Sequence, residues 1–182
     1  IKEDDASVPE IDNGYYYYTR YEAGKQYPLY CRKKDAQAAV EEMLLDQNAI
    51  AEGRNFCRIG AFSVSPDTTK LAYSIDPDGS EICILQIKDL ATGELLADKL
   101  TNTFGSVYNH AGVEWMNDGK SIIYMTLDAA QRAYRVYRHF LGTDQASDVL
   151  LYEESDETFS LWLLKSRSDA YIQLFSHSTV TN

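Results

Sequence analysis

The serines and histidines are the first candidates for hydrolytic chemistry. In an α/β-hydrolase the nucleophilic serine stands in a G-x-S-x-G sequence, because its strained strand-to-helix turn needs glycine on both sides. Gly79-Ser80 and Gly105-Ser106 each lack the second glycine. His110, His139 and His177 have no serine or carboxylate at triad-like motif positions. We therefore expect all three histidines to be structural or surface residues, and we predict no catalytic residue in this chain.

Two acidic segments could bind cations. The segment from Asp76 to Glu81 contains Asp-Pro-Asp-Gly, but it lacks the D-x-[DN]-x-[DN]-G spacing and the later glutamate of a calcium loop. We predict a β-turn there, and no metal or cofactor site in the chain. The run from Glu153 to Glu157 has two interpretations. We favour a solvated loop between blades, and the alternative is a contribution to the acidic mouth of a tunnel.

Four consecutive tyrosines, Tyr15–Tyr18, could form a stacking platform for bases or sugars. In a strand, successive side chains point to opposite faces, so Tyr15 and Tyr17 would share one face and Tyr16 and Tyr18 the other. This alternation fits a strand that is packed on both sides, which is the interpretation that we favour.

The composition argues against several classes of protein. The 182 residues include 17 Lys and Arg against 28 Asp and Glu, for a formal charge of −11. Nucleic-acid binding needs positive charge, and no apolar run approaches the roughly 20 residues of a membrane-spanning helix. Cys31, Cys57 and Cys83 are odd in number and form no C-x-x-C pair, which predicts a reducing, cytoplasmic location. The start, Ile1–Asp5, shows no signal peptide and no initiator Met, which suggests a piece of a longer chain.

An internal repeat indicates the architecture that positions these residues. Asp67 precedes Tyr73 by six residues, Asp118 precedes Tyr124 by six, and the two copies are 51 residues apart. A weaker third copy begins at Leu161. Periods of roughly 40–50 residues with short strands and turns mark the blades of β-propellers.

The strands predicted within each repeat are short and separated by turns that contain Asp, Pro and Gly. They are Tyr15–Arg20, Gln26–Arg32, Glu42–Asp46, Cys57–Val64, Lys70–Ile75, Glu81–Lys88, Glu94–Ala97, Ala111–Met116, Ser121–Leu127, Ala133–Phe140, Asp148–Glu153, Thr158–Leu164 and Ala170–Ser176. Several are apolar on both faces and must be covered on both sides. The predicted fold is therefore all-β, a partial β-propeller of about three to four four-stranded antiparallel blades.

The chain divides accordingly into five segments. They are a connector at 1–13, a first partial blade at 14–54, blades at 55–104 and 105–157, and a truncated blade at 158–182. The first blade shows three strands and the last shows two. Because such incomplete blades leave apolar faces and strand edges uncovered, we expect the chain to self-associate.

Several segments also carry a resemblance to a known family. They are Lys2–Pro9, Gly14–Arg20, Glu22–Lys33, Glu41–Asp46, Asn48–Gly53, Phe62–Tyr73, Gly79–Glu81 and Lys88–Glu94. In this order they resemble the start of the propeller domain in the oligopeptidase B branch of the prolyl oligopeptidase family of serine peptidases. The first thirty residues are the most specific part. One departure from propeller turns in general is Thr68, which stands where glycine is usual.

The resemblance implies a seven-bladed propeller that caps an α/β-hydrolase catalytic domain of the same parent chain. Such a propeller admits short peptides, which this branch cleaves after Lys or Arg. The present chain would then be a non-catalytic part of the gate, inactive on its own. Two other functions stay open: a propeller that binds a protein or carbohydrate with no attached hydrolase, and a propeller enzyme that uses paired carboxylates, as glycosidases do.

Overall fold

The structure is a computed structural model that describes residues 5–36, 38–106 and 108–179. Most of its regular secondary structure consists of β-strands. The strands are β1 (Glu10–Asp12), β2 (Tyr15–Arg20), β3 (Leu29–Lys34), β4 (Glu41–Asp46), β5 (Arg58–Val64), β6 (Lys70–Asp76), β7 (Cys83–Asp89), β8 (Leu95–Thr103), β9 (Val113–Trp115), β10 (Ser121–Leu127), β11 (Ala133–Phe140), β12 (Val149–Glu153), β13 (Ser160–Lys165) and β14 (Ile172–His177). The helices are α1 (Gln47–Ala51) and a 3₁₀ helix at Gln145–Ser147. The chain forms two compact units, Ile1–Cys57 and Arg58–Asn182.

The first unit contains one four-stranded sheet, the N-terminal sheet, with the strand order β1-β2-β3-β4. Its β1, Glu10–Asp12, lies in the segment 1–13 that the sequence predicts as a connector, so the sheet has four strands and not the three expected. The turn between β1 and β2 is Asn13-Gly14, with φ angles of 45° and 76°. Two-residue hairpins favour Asn-Gly because both positions need a positive φ, and this pair could have revealed the extra strand.

The start of β3 also differs from the prediction, because the strand begins at Leu29, three residues later. Pro28 has no N–H with which to pair in a sheet. The backbone of Tyr27 pairs instead with the side-chain amide of Asn48: its N–H donates to Oδ1 at 2.9 Å, and its carbonyl accepts from Nδ2 at 2.8 Å. Asn48 is held in place by α1, whose N-cap is the side chain of Asp46.

The second unit contains two four-stranded meanders and a hairpin. Strands β5–β8 form blade A, β9–β12 form blade B, and β13–β14 form the terminal hairpin. Within each blade, consecutive strands pair antiparallel, which is the topology of a propeller blade. The two blades meet at the end of β8, where Thr103 pairs with Thr126 of β10 and the N–H of Phe104 donates to the carbonyl oxygen of Met125 at 2.9 Å.

Strand β10 shows how these sheets pack. All of its residues are buried, and because neighbouring side chains point to opposite faces, they serve two cores. Ile122 and Tyr124 pack against side chains of blade A. Ile123, Met125 and Leu127 pack against the terminal hairpin. A strand that is apolar on both faces is thus covered on both sides, as the sequence predicts.

One turn of blade A carries backbone strain. Thr68 has a φ of +61°, a left-handed conformation that costs an L-residue about 1–2 kcal/mol. At the corresponding position of blade B, Gly119 has a φ of +63°, which glycine adopts at little cost. The departure from glycine at Thr68 therefore produces a strained turn.

Candidate functional site

His139 on β11 is fully buried between two carboxylates. Its Nε2 lies 2.8 Å from Oδ1 of Asp98, and its Nδ1 lies 2.7 Å from Oδ1 of Asp148. Asp98 belongs to β8 of blade A, and Asp148 directly precedes β12 of blade B. Each carboxylate has a further donor: the N–H of Gly142 reaches Asp98 at 2.6 Å, and the hydroxyl of Tyr124 reaches Asp148 at 2.8 Å. The cluster therefore spans the junction between the two blades.

The geometry of this cluster does not suit catalysis. A general base needs a ring nitrogen that faces the nucleophile or the substrate, and both nitrogens of His139 face carboxylates. Sequence motifs could not have found the cluster, because Asp98 is 41 residues away from His139 in the chain and lies in another blade.

The other histidines and the two Gly-Ser serines lie elsewhere in the second unit. Nδ1 of His110 is 2.8 Å from the carbonyl oxygen of Gly60. His177 belongs to β14. Ser80 lies between β6 and β7, and Ser106 lies between β8 and β9. None of these positions is a turn from a strand into a helix, which is the setting of a hydrolase nucleophile.

Glu114 on β9 contacts the terminal hairpin. Its Oε1 accepts the backbone N–H of Lys165, at the end of β13, with a distance of 3.1 Å. Burial raises the pKa of Glu114 to about 7; the N–H and the ammonium of Lys165 oppose the rise, and Asp169 adds to it. The side chain therefore changes its charge near neutral pH, at a contact between blade B and the terminal hairpin.

The acidic run predicted as a loop starts one residue inside a strand: Glu153 is the last residue of β12, and residues 154–157 lie in the loop between β12 and β13. Glu154 accepts a hydrogen bond from the hydroxyl of Ser176 at 2.6 Å, and the guanidinium of Arg132 donates to the backbone oxygen of Asp156 at 2.8 Å. Hydrogen bonds from nearby hydroxyl groups hold the pKa of both Glu154 and Asp156 below the ordinary values. Glu154 and Asp156 therefore carry negative charge at neutral pH.

The segment Asp76–Glu81, predicted as a β-turn, closes onto the side chain of Asp76. This carboxylate is fully buried and accepts three backbone N–H groups of its own turn and the guanidinium of Arg58. These donors take up the oxygens that a cation would need. Over residues 5–36, 38–106 and 108–179, no group of three or more His, Cys, Asp or Glu side chains could hold a metal ion.

The four tyrosines of β2 differ in their surroundings. Tyr16 is exposed, and the other three are half-buried. The guanidinium of Arg32 covers the ring of Tyr15 at 4.3 Å from the centroid, and the hydroxyl of Tyr18 donates to Glu41 at 2.6 Å. The interpretation as a strand packed on both sides therefore applies to three of the four rings.

The three cysteines lie in the interior of the protein: Cys31, Cys57 and Cys83 are buried. Burial raises the pKa of the Cys31 thiol to about 11, so this thiol is protonated and unreactive at neutral pH. In the part of the chain that the structure describes, no helix is long and apolar enough to cross a membrane.

The whole chain is similar to one group of propellers. The family model for the prolyl oligopeptidase N-terminal β-propeller domain matches residues 1–182. The chain is 38% identical over 187 residues to Protease 2 of Moraxella lacunata, and 36% identical over 198 residues to dipeptidyl aminopeptidase BI of Pseudoxanthomonas mexicana. Both comparisons cover 100% of this chain but only 26% and 27% of the relatives. The chain thus spans about a quarter of the length of the curated relatives that it matches.

Solved structures show the same similarity. Oligopeptidase B from Leishmania major matches with a TM-score of 0.89 at 33% identity, covering 97% of this chain and 24% of that one. Oligopeptidase B from Trypanosoma brucei, with covalently bound antipain, matches with a TM-score of 0.85 at 33% identity, over the same shares of the two chains. The partial β-propeller predicted from the internal repeat is therefore confirmed.

Proposed function

Because this chain belongs to the prolyl oligopeptidase family of peptidases, within its N-terminal β-propeller domain, we propose that it is a non-catalytic part of a gate. The gate limits the access of peptides to a serine peptidase domain carried by the same parent polypeptide. The observation that carries this proposal is the match of 97% of this chain to oligopeptidase B, in which the propeller is attached to a catalytic domain of the same chain.

The side chains support the non-catalytic part of this proposal. Both ring nitrogens of His139, the fully buried histidine, face carboxylates. The sequence contains no G-x-S-x-G, the signature of a nucleophile in this class of hydrolase. The nucleophile, its base and its oxyanion donors would all come from the catalytic domain.

The proposed substrates are short peptides that are cleaved after Lys or Arg. Two observations support a preference for cationic peptides. The chain has a formal charge of −11, and the loop that follows β12 holds the carboxylates of Glu154 and Asp156, whose pKa values are lowered by local hydrogen bonds. Negative charge of this kind raises the encounter rate with cations. We also propose a cytoplasmic location, which rests on the sparse, unpatterned cysteines.

The test compares this chain with its parent polypeptide. Each is incubated with an arginyl amide substrate and with a covalent probe for active serines. The chain alone should neither turn over the substrate nor take up the probe, and the parent should do both. Turnover with stoichiometric labelling of the chain alone would show that the site lies within it. A parent without a serine that reacts with the probe would instead favour a propeller that binds a partner and has no hydrolase.

A further inference from the structure

The junction between blade A and blade B contains buried charge that the proposed gate does not use. The side chains of Asp98, His139 and Asp148 are 3%, 0% and 1% exposed. Burying a charge costs much free energy unless it is paired and hydrogen-bonded. The positions of the protons in this cluster therefore decide whether it holds the blades together or strains them.

The donors around the cluster show which of its oxygens accept hydrogen bonds. Oδ1 of Asp98 accepts a hydrogen bond from the backbone N–H of Gly142 and also faces Nε2 of His139. The hydroxyl of Tyr124 accepts from the side-chain amide of Gln145 at 3.3 Å, which leaves its own hydrogen for Asp148. An ionised carboxylate can only accept hydrogen bonds. If both carboxylates are ionised, both ring nitrogens of His139 must donate.

From this geometry we propose that His139 is a doubly protonated imidazolium that acts as a charged clasp between the blades. Its Nε2–H binds Asp98 of β8 in blade A, and its Nδ1–H binds Asp148 in blade B. Bonds between charged partners are shorter and stronger than neutral ones, in keeping with the contacts of 2.8 and 2.7 Å.

The position of the clasp allows it to hold the two blades together. The backbone bridge described between the blades, Thr103 with Thr126, lies at the end of β8. Upstream of it, the side chain of Gln145 pairs with the backbone of Thr101, accepting at 2.9 Å and donating at 3.1 Å. The contact between Asp98 and His139 then holds the middle of β8. Along β8, these side-chain contacts take the place of continuous backbone pairing between the two blades.

The charge state is tested by NMR on the chain labelled with ¹⁵N in its histidines, of which there are three. At pH 7.5, one histidine should show two protonated ring nitrogens, and this pair of signals should be absent from His139→Gln. In Asp98→Asn, which keeps the shape and an oxygen acceptor but removes one charge, a measurable fraction of the neutral ring should appear. A wild-type His139 with one bare nitrogen at pH 7.5 would overturn the proposal, because the proton would then lie on a carboxyl group.

The mechanical role is tested by hydrogen exchange of the same chain, followed by mass spectrometry. In His139→Gln, the loss of buried hydrogen bonds between charged groups should raise the rate of amide hydrogen exchange about tenfold or more in peptides from 95–103 and 133–140. Peptides from 58–89 should change less, and the matched control His177→Gln should leave 95–103 unchanged. If His139→Gln does not fold, Asp98→Asn replaces it with the same expectation and a smaller effect. Equal exchange in wild type and variant, or a uniform rise over the whole chain, would contradict the clasp.

Discussion

Replacing Glu114 with Gln should make the stability of the chain less dependent on pH. Burial raises the pKa of this carboxyl from 4.5 to about 7 in the folded chain. Between these two pH values the unfolded chain releases the proton and the folded chain keeps it, so unfolding becomes easier as the pH rises. The stability associated with the proton is fully present below pH 4.5 and is lost as the pH passes about 7.

The size of the effect follows from the same shift. One pKa unit corresponds to about 1.4 kcal/mol, so the whole shift is worth roughly 3 kcal/mol in the free energy of unfolding. Gln has the shape of the protonated side chain, and its oxygen can still accept the N–H of Lys165, which Glu114 accepts at 3.1 Å. Glu114→Gln should therefore match the wild type near pH 4.5 and exceed it by up to roughly 3 kcal/mol at pH 8.

The assay is urea unfolding of both proteins at several pH values between 4.5 and 8. At each pH, the difference between their free energies of unfolding reports the contribution of Glu114, because the other groups that titrate in this range are the same in both proteins. The matched control is Glu157→Gln, because Glu157 is an exposed acidic residue of the loop that connects blade B to the terminal hairpin. A difference between wild type and Glu114→Gln that stays constant with pH would refute the reasoning, as would a control that behaves like Glu114→Gln.

Three further predictions concern the turn, the surface and the charge. Thr68→Gly should raise the free energy of unfolding by about 0.5–1 kcal/mol. The strain energy that is removed from the folded state is larger than the free-energy cost of the extra conformational entropy that glycine gives the unfolded chain. Equal or lower stability of the variant in thermal or urea unfolding would contradict this. The chain should self-associate through the groove of about 640 Å³ that is lined by Leu151, Leu174 and other apolar residues. Sedimentation equilibrium should show dimers or larger species, and Leu174→Lys should weaken this association. A monodisperse wild-type monomer at micromolar concentration would contradict the prediction. In the parent polypeptide, kcat/KM for a dibasic peptide should fall more steeply with salt than for a monobasic one; identical slopes would remove the steering argument.

The sequence predicts most of the strands because local signals and tertiary packing agree. Ser121–Leu127 and Ala133–Phe140 have the predicted bounds, since their apolar residues and flanking turns point to the same strands. The sequence pattern does not predict β1, because its three exposed residues carry no apolar alternation, although the Asn13-Gly14 pair that follows is a strong hairpin signal.

The contacts between blades could not be predicted in this way. His139 on β11 meets Asp98 only because β8 of one blade pairs with β10, the neighbour of β11, in the next, and no local pattern encodes that contact. The same holds for Glu114, whose pKa depends on burial against β13, 51 residues further along the chain. Such groups become visible only when the packing of the blades is known.

The central claim, that this chain is part of a gate, is tested most directly by the size of the substrates that the parent polypeptide accepts. The same arginyl cleavage site is presented in a short peptide and in an exposed loop of a folded protein, and kcat/KM is measured for both. The account predicts efficient cleavage of the peptide and no detectable cleavage of the folded protein. Comparable values for the two substrates would contradict a gate formed by the propeller.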